Sequence, residues 1–438
     1  MMLIYKKSWV FIAVSLLFQV SCQKTHWSFL SLDKIFWSNE SNGTYFPGFI
    51  SEIFPYASYF QEQFKNQEVA KSGIKIIQIQ QLTQHKTPSH EASLSWSRNG
   101  YLLGYEVVKN RQRKILLRDL SQSYSKTLAI FPVDDEPFYS LSNTKPMYRS
   151  YNAFLRWSYD SKQYSFMSNG GLGDFNIYVG AIDSDEHLIA PNPAKDGFAT
   201  WNPQHHEIVF TSARTGKGDL YLFRRGVREN RLTFNDTPDL YPEWAKDGEG
   251  IIFISGDLQK HKMMVLLRDR RSRMWHRPYP FIISYLEQMR PIISPNGRFV
   301  AFYSMGQDGK WNLHVLPFIR DKTYSDEHLK KSIIARNVFL DLNSGVAWTP
   351  DSKKIFYIEN NLAKANRIFA YHLTLGKRYL INTNTSMNHD LIMSKLGILS
   401  FCAQSGSWDR VFMALTNQGI QIQGKRKNEG NLHIKYIH

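Results

Sequence analysis

Few residues in the sequence combine a type and a spacing that suit catalysis. His205 and His206 stand together in WNPQHHEIVF, but adjacent residues of an extended strand point to opposite sides and cannot easily bind one metal ion. His389 and Asp390, in MNHDL, lie in the kind of loop from which metal ligands could converge. The chain has no His-x-x-His, Glu-x-x-His or paired-cysteine spacing to complete such a site. We therefore predict no metal site and no cofactor.

Motifs for covalent catalysis and phosphate binding are missing as well. Serine hydrolysis on an α/β-hydrolase domain requires the G-x-S-x-G turn, and the sequence contains none. The glycines of SNGGLGDF are followed by a strand-like run and not by the helix that a dinucleotide site needs. Acidic runs such as VDDEP suit soluble loops better than a calcium site. The sequence predicts a protein that is not an enzyme, with a metal-dependent lyase as the alternative.

The first 21 residues have the form of a signal peptide. Lys6 and Lys7 precede an apolar run, SWVFIAVSLLFQV, that is short for a membrane span. The following LLFQVSC resembles a bacterial lipobox, with Gln19 where an aliphatic residue is usual, which implies lipid attachment at Cys22. We expect an exported, periplasmic lipoprotein anchored to the outer membrane. Secretion with cleavage nearby and an uncleaved anchor are the alternatives.

A formal net charge of +16 restricts the class of partner. An exported protein rarely meets a nucleic-acid target, so anionic lipid headgroups, an acidic polysaccharide or an acidic envelope protein match the charge better. The densest basic run is RDRRSRMWHR at 268–277. Its residues Arg270, Arg271, Arg273 and Trp275 are our candidates for partner binding, and a solvated turn is the alternative. The other cysteine, Cys402 in GILSFCA, is expected to be a buried, inert thiol.

A short phrase recurs along the chain. It consists of an anchor residue, two or three polar residues, and a glycine or its equivalent. Successive anchors are 43 to 61 residues apart, a period typical of propeller blades. The seven phrases are WSRNG, WSYDS, WNPQH, WAKDG, ISPNG, WTPDS and MSKLG, with anchors Trp96, Trp157, Trp201, Trp244, Ile293, Trp348 and Met393.

Each phrase is followed by two apolar, strand-like runs separated by a polar turn, such as GIIFISG and then KMMVLLRD. Asp-Gly, Asn-Gly and Asp-Ser accept the positive φ that a tight turn between strands requires. The anchor tryptophan is large enough to fill the space between neighbouring blades. The pattern predicts an all-β propeller in which the repeated Trp and Asp residues are structural.

The repeats resemble those of TolB-like propellers, which are also found in prolyl-oligopeptidase-type enzymes and oligogalacturonate lyases. YPEWAKDGEGIIFIS and FATWNPQHHEIVFTSARTGKGDLYLF carry this resemblance. It implies a β-propeller, for which our count favours seven blades over six. We predict a signal peptide at 1–21, a short aromatic-rich N-terminal arm or cap at 22–73, the propeller at 74–416 and a basic tail at 417–438. The run at 74–87 is expected to supply the outer strand of the last blade and close the ring.

Together these features predict a cell-envelope scaffold without catalytic activity. It would recognise an envelope protein or protein complex through loops on one face of the propeller. The alternative is a polysaccharide-binding or polysaccharide-lyase-like protein that acts on acidic glycans.

Overall fold

The computed structural model describes residues 73–418, except for 75, 84–88, 110–111, 120–126, 130–151, 170–173, 182–183, 257–260 and 361–365. The predicted signal peptide, Cys22 and nearly all of the predicted arm therefore lie outside the described residues, as does the basic tail from residue 419 on. None of the described helices is long and apolar enough to cross a membrane.

Seven four-stranded antiparallel sheets make up the described chain, and they confirm the seven-bladed propeller. The first strand, β1 (Ile76–Gln81), belongs to the last blade. Blade 1 contains β2 (His90–Trp96), β3 (Leu102–Lys109), β4 (Gln112–Asp119) and β5 (Thr127–Ala129). Blade 2 contains β6 (Asn152–Trp157), β7 (Gln163–Ser168), β8 (Asn176–Ala181) and β9 (Ser184–Leu188). Blade 3 contains β10 (Asp196–Trp201), β11 (Glu207–Ser212), β12 (Asp219–Arg224) and β13 (Val227–Arg231).

The second half of the ring repeats this order with one insertion. Blade 4 contains β14 (Asp239–Trp244), β15 (Gly250–Ser255), β16 (Lys262–Leu267) and β17 (Tyr279–Pro280). A short strand, β18 (Ile282–Ile283), leads to blade 5, which contains β19 (Gln288–Ile293), β20 (Phe299–Met305), β21 (Trp311–Pro317) and β23 (Ile333–Arg336). Between β21 and β23 lie β22 (Tyr324–Ser325), which pairs in parallel with β18, and the helix α1 (Asp326–Lys331). This insertion accounts for the long interval between the anchors Ile293 and Trp348.

The last two blades close the ring. Blade 6 contains β24 (Ala347–Trp348), β25 (Lys354–Glu359), β26 (Arg367–His372) and β27 (Lys377–Ile381). Blade 7 contains β28 (Ser386–Met393), β29 (Ile398–Ser405) and β30 (Trp408–Thr416), and β1 pairs antiparallel with β30 as its outer strand. The predicted closure by the N-terminal strand is therefore confirmed, and it pairs the edge of β30 that would otherwise be open.

The anchor tryptophans lie between blades, as predicted. Each of four indole N–H groups donates a hydrogen bond to the preceding blade, at 3.0–3.3 Å. The pairs are Trp96 with Ser400 Oγ, Trp157 with Ser95 O, Trp201 with Ser165 Oγ and Trp244 with Thr200 O. Apolar clusters fill the spaces around them, for example Leu102, Leu117 and Leu155 between blades 1 and 2. Burial between blades therefore supplies the core, because one blade alone cannot cover both of its faces.

The recurring phrase forms the turn between the first and second strands of each blade. In six of the seven turns, its last residue has a φ of +60° to +81°. These residues are Gly100, Ser161, Gly248, Gly297, Ser352 and Gly397. The predicted need for glycine or a small polar residue at this point is confirmed, because few side chains accept the left-handed region.

Candidate functional site

The first strand of each blade lines the central channel, since the first strands of neighbouring blades contact one another. Six of these strands have a bulge or a left-handed residue three positions before the anchor, and blade 6 has Gly345 there. The residues at this position are Ser93, Phe154, Phe198, Tyr241, Arg290, Gly345 and Asp390, with φ between +50° and +74°. A bulge of this kind re-aims a side chain, and here it does so in the six blades other than blade 6.

On one side of the channel these side chains form a continuous row. The ring of Phe154 lies 5.3 Å from that of Phe198, which lies 4.5 Å from that of Tyr241. The guanidinium of Arg290 lies over the Tyr241 ring at 5.8 Å. The row joins blades 2 to 5 by ring contacts and a cation–π contact.

Arg156, Arg290 and the chain segment that leads into blade 6 occupy the channel next to this row. Arg290 donates hydrogen bonds to the carbonyl oxygens of Leu342 at 3.1 Å and Asn343 at 2.9 Å. Arg156 donates to the Asn343 carbonyl oxygen at 3.4 Å. Because Arg156 belongs to blade 2 and Asn343 precedes blade 6, the contact crosses the channel. Burial and the Arg290 charge lower the pKa of Arg156 to about 10, while Glu243 and Glu106 act in the opposite direction.

A network of acidic and histidine side chains joins blade 7 to blade 1. His389 Nδ1 lies 2.9 Å from Asp390 Oδ2, and His389 Nε2 lies 3.6 Å from Asp409 Oδ1. Asp409 Oδ2 also lies 2.7 Å from His90 Nδ1. Burial opposes protonation of His389, but the two carboxylates outweigh it and hold its pKa well above the usual value. The two carboxylates therefore favour the protonated imidazole of His389.

Ligand atoms of His389, Asp390 and Cys402 lie within 4.8 Å of one another, so the metal hypothesis can be tested on their chemistry. A metal ion needs an unprotonated nitrogen and a thiolate. Both nitrogens of His389 face carboxylates, and burial with the nearby acids raises the pKa of the Cys402 thiol well above its usual value. In this arrangement the carboxylates of Asp390 and Asp409 occupy both nitrogens of His389, and with His90 they form a latch that joins blade 7 to blade 1. The predicted burial of Cys402 is confirmed.

One face of the propeller carries the turns between first and second strands, and also the links between third and fourth strands. We call it the turn face. Hydrogen bonds connect its turns from blade to blade. They join Asn99 N to Ser161 Oγ at 2.9 Å, Gln204 Nε2 to Lys246 O at 3.0 Å and Asn296 N to Ser352 Oγ at 3.0 Å. The turn face is therefore a connected rim around the channel.

The basic run at 268–277 lies on the turn face as the link between β16 and β17. Arg268 is completely buried, and its guanidinium binds Glu249 at 2.7 Å and Glu207 at 3.1 Å. The indole of Trp275 lies 5.1 Å from that guanidinium and 6.0 Å from the Trp244 ring. Trp275 thus helps to fix the link, and it also lines an open pocket of about 450 Å³ together with Asp269, Ser272, Met274 and His276.

The predicted arginines of this run differ in whether they form ion pairs within the protein. Arg270 forms an ion pair with Asp247 at 3.0 Å, and Arg273 pairs with Glu249. Arg271 is exposed and forms no ion pair with any residue that the structure describes. Met274 beside it is 70% exposed. Arg271 and Met274 are accordingly two side chains of the link that remain open to a partner.

Sequence reasoning missed three further cations on this face. Arg98, Lys246 and Lys395 each follow an anchor by two residues, in the turns of blades 1, 4 and 7. All three are exposed. The phrases WSRNG, WAKDG and MSKLG have these cations at the same position. A search for dense basic runs misses them, because each of these phrases contains a single cation.

Comparison with known proteins identifies the family. Residues 78–332 match the family model described as the TolB beta propeller domain. The chain belongs to this family. A search of curated protein sequences found no significant match. Among solved structures, TolB from Acinetobacter baumannii is 14% identical, with a TM-score of 0.43 over 76% of this chain and 64% of its own.

Two enzymes share the propeller architecture at low identity. An oligogalacturonate lyase in complex with manganese is 10% identical, with a TM-score of 0.54 over 77% of this chain and 93% of its own. A puromycin-hydrolyzing peptidase from Mycobacterium tuberculosis is 8% identical, with a TM-score of 0.51 over 71% of this chain and 49% of its own. At such identities the likeness shows the fold alone, because one propeller can carry unrelated functions.

Proposed function

We propose that this TolB-family propeller is a non-catalytic binding scaffold of the cell envelope, which recognises a protein partner through the loops of its turn face. The observation that carries the proposal is the composition of that face. The turn face exposes both cations and apolar side chains. Hydrogen bonds between neighbouring blades connect its turns. The exposed apolar residues of this face are Tyr159, Val227, Met274, Ile319 and Leu375.

This combination favours a protein partner. Interfaces between proteins place apolar and aromatic groups together with arginine, and scattered aliphatic side chains offer little to a sugar ring. The rigid rim also lowers the entropic cost of binding, because the turns are already ordered. The partner-binding set that we propose is Arg270, Arg271, Arg273 and Trp275, with Arg271 as its unpaired cation.

Export and lipidation form part of the same proposal. The charged n-region, the apolar run and the lipobox-like LLFQVSC support a periplasmic protein that is anchored to the outer membrane through a lipid on Cys22. Anionic lipid headgroups near that membrane would meet a mature protein whose net charge, after removal of Lys6 and Lys7 from the +16 of the full chain, is +14. Cys22→Ala should leave the exported protein soluble after cell lysis, whereas the wild-type protein should sediment with membranes.

The alternative, an acidic-glycan lyase, has less support. The fold likeness to the oligogalacturonate lyase shows the architecture only, and both nitrogens of His389 already face carboxylates. Binding of an acidic glycan without cleavage is retained as a possible outcome of the experiment below.

The test is capture of partners from detergent-solubilised envelopes with the chain from residue 23 on. The discriminating variant is Arg271→Glu with Met274→Asp, since it leaves the ion pairs of Arg270 and Arg273 in place. The control is Tyr285→Ala, which removes a 99% exposed side chain from the link between blades 4 and 5 on the opposite face. We expect one envelope protein in stoichiometric amount with the wild-type chain and the control, and its loss with the variant. Retention on acidic polysaccharide with no protein partner would refute the proposal.

A further inference from the structure

In blade 7 the two ends of the described chain take the place of a link. The other blades connect their third strand to their fourth on the turn face, whereas blade 7 has β30 as its third strand and β1 as its fourth. The described chain therefore begins at Gly73 and ends at Gln418 on this same face. The Gly73 carbonyl oxygen accepts hydrogen bonds from Asn417 Nδ2 at 3.1 Å and Gln418 Nε2 at 2.9 Å, so the two ends lie side by side.

Hydrogen bonds join these ends to the turns of blades 6 and 7. Gln418 Oε1 accepts a hydrogen bond from Nζ of the buried Lys354, the residue that follows the blade 6 turn, at 2.8 Å. In the blade 7 turn, the Gly397 carbonyl oxygen accepts hydrogen bonds from Thr416 N at 3.1 Å and Thr416 Oγ1 at 2.6 Å. The two chain ends and the two turns thus form one connected edge of the turn face.

The link between β26 and β27 belongs to the same edge, because Leu373 N donates a hydrogen bond to Lys353 O in the blade 6 turn at 2.9 Å. Four exposed side chains lie on the two turns and at this link, and Leu375 among them is 50% exposed. They are Lys353, Leu375, Lys377 and Lys395, and we call this set the chain-end edge.

The chain-end edge carries more positive than negative charge. None of its three lysines forms an ion pair with any residue that the structure describes. The neighbouring Arg378 differs, because it pairs with Glu359 at 2.7 Å. Asp351 is the exposed acidic residue of the blade 6 turn, and its Oδ1 accepts hydrogen bonds from Thr349 Oγ1 at 2.6 Å and Lys353 N at 3.0 Å. One carboxylate therefore stands against three lysines.

We propose that the chain-end edge binds the anionic headgroups of a lipid membrane and thereby orients the propeller on it. The inference rests on the proposed membrane anchorage and adds the surface that faces the lipid. The cations of this edge are all lysines, which are compact charges that attract headgroups without a fixed geometry. Interfaces between proteins are depleted in lysine and enriched in arginine and aromatic residues, as in the link at 268–277. Leu375 adds an aliphatic side chain that suits the boundary between headgroups and acyl chains.

The sequence on either side of the described chain favours a membrane as well. A lipid on Cys22 would be connected to this edge through residues 23–72, and the basic Lys425, Arg426 and Lys427 follow Gln418 closely in sequence. Acyl chains and basic residues reinforce one another at an anionic surface. The link at 268–277 belongs to blade 4, so the lipid and the protein partner bind different parts of the turn face.

The test is co-sedimentation with vesicles of phosphatidylglycerol and phosphatidylcholine in a ratio of about one to two, compared with pure phosphatidylcholine vesicles. The protein is the chain from residue 23 on, without its lipid, and we expect it to bind the anionic vesicles alone. Lys353→Gln/Lys377→Gln/Lys395→Gln should weaken this binding by about a hundredfold, since each cation near an anionic surface contributes about fivefold. Leu375→Ala should weaken it by about threefold, because half of the side chain is still exposed and available for burial.

Blades 2 and 3 offer a matched control. Lys162 lies in the blade 2 turn, and Arg225, Val227 and Arg228 lie at the junction of β12 and β13 in blade 3; all four are exposed. Lys162→Gln/Arg225→Gln/Arg228→Gln removes the same charge as the edge variant. It should weaken binding by less than about threefold at an ionic strength of about 0.15 M, where distant charges are screened. Val227→Ala is the control for Leu375→Ala and should leave binding unchanged. Circular dichroism checks that every variant is folded.

Four results would overturn the inference. The first is that the wild-type chain does not bind the anionic vesicles. The second is an equal loss in the edge variant and its control, which would show attraction by net charge alone. The third is a loss with Lys425→Gln/Arg426→Gln/Lys427→Gln but none with the edge variant, which would assign the lipid to the tail. The fourth is an edge variant that keeps vesicle binding but loses the captured envelope protein, which would assign the edge to that protein.

Failure of the proposed function gives a different pattern. Capture from detergent extracts involves no membrane surface, and vesicle binding of the chain from residue 23 on requires no lipid on Cys22. If vesicle binding follows the prediction but no envelope protein is captured, the lipid surface stands and the scaffold falls. If the wild-type protein does not sediment with membranes after cell lysis, the anchor falls, and the vesicle measurement still decides the chain-end edge.

Discussion

Arg268→Ala should destabilise the propeller more than the loss of any exposed arginine. The Arg268 side chain is buried and joins blade 4 to blade 3 through Glu249 and Glu207, with a further hydrogen bond to the Gly248 carbonyl oxygen at 3.0 Å. Removing one partner of a buried ion pair costs about 3–5 kcal/mol. Here each carboxylate keeps one arginine, Arg273 for Glu249 and Arg224 for Glu207, so we expect the lower end, about 3 kcal/mol.

Urea unfolding followed by tryptophan fluorescence measures this loss, since the Trp244 and Trp275 rings lie 6.0 Å apart beside Arg268. The exposed neighbour provides the control: Arg271→Ala should change the free energy of unfolding by less than about 0.5 kcal/mol. Adding Glu207→Gln and Glu249→Gln to Arg268→Ala should restore at least about 1 kcal/mol, because it removes two buried carboxylates that have each lost their buried partner and keep only a partly exposed arginine. A loss below about 1 kcal/mol for Arg268→Ala, or no restoration, would refute the argument that buried charge causes the effect.

Two further predictions concern the channel and the ring closure. Gly345→Ala should cost about 2–4 kcal/mol, because its φ is +74° and a Cβ would lie 2.0 Å from Ile292 Cδ1; Gly216→Ala, with φ +101° and open space, should cost only about 1 kcal/mol. Equal losses for both glycines in urea unfolding would contradict the steric explanation. His389→Gln should cost about 1.5–3 kcal/mol at pH 6 and clearly less at pH 9. The pKa of His389 is raised in the folded protein, so its contribution is complete below about 6.5 and is lost as the pH rises through the folded value. Unfolding curves at the two pH values measure the difference, and an equal cost at both would show that His389 is not charged in the latch.

The architecture could be predicted from the sequence because its signals are local and repeated. An anchor, which is tryptophan in five of the seven phrases, two or three polar residues and a glycine or its equivalent within five residues encode a turn, and seven such turns encode seven blades. The strand at Ile76–Gln81 was also predictable, because it continues the same alternation with no partner of its own in sequence. These signals depend on residue type at short range, where turn geometry and burial constrain the choice of residue most strongly.

The bulges of the inner strands left no such signal. Phe154, Phe198, Tyr241 and Arg290 adopt a left-handed φ, although bulky residues rarely do so. Contacts between blades impose this conformation, as the Phe198–Tyr241 ring contact at 4.5 Å shows. The network of His90, His389, Asp390 and Asp409 could not be predicted either, since His90 and Asp409 are neighbours only after the ring has closed. Features that depend on closure cannot be inferred from one repeat at a time.

In a propeller, the position within the repeat and not the position along the chain decides where a side chain lies. Three residues before the anchor, every blade except blade 6 has a side chain at the channel, and in blades 2 to 5 these are Phe154, Phe198, Tyr241 and Arg290, which contact one another in a row. Two residues after the anchor, only blades 1, 4 and 7 carry a cation, and these are Arg98, Lys246 and Lys395. The dense run at 268–277 has more arginines, yet Arg268, Arg270 and Arg273 are paired with the carboxylates of Glu207, Asp247 and Glu249. Unpaired charge, more than local charge density, is what attracts an acidic partner, and by that criterion the exposed Arg271 outweighs its three paired neighbours in the run.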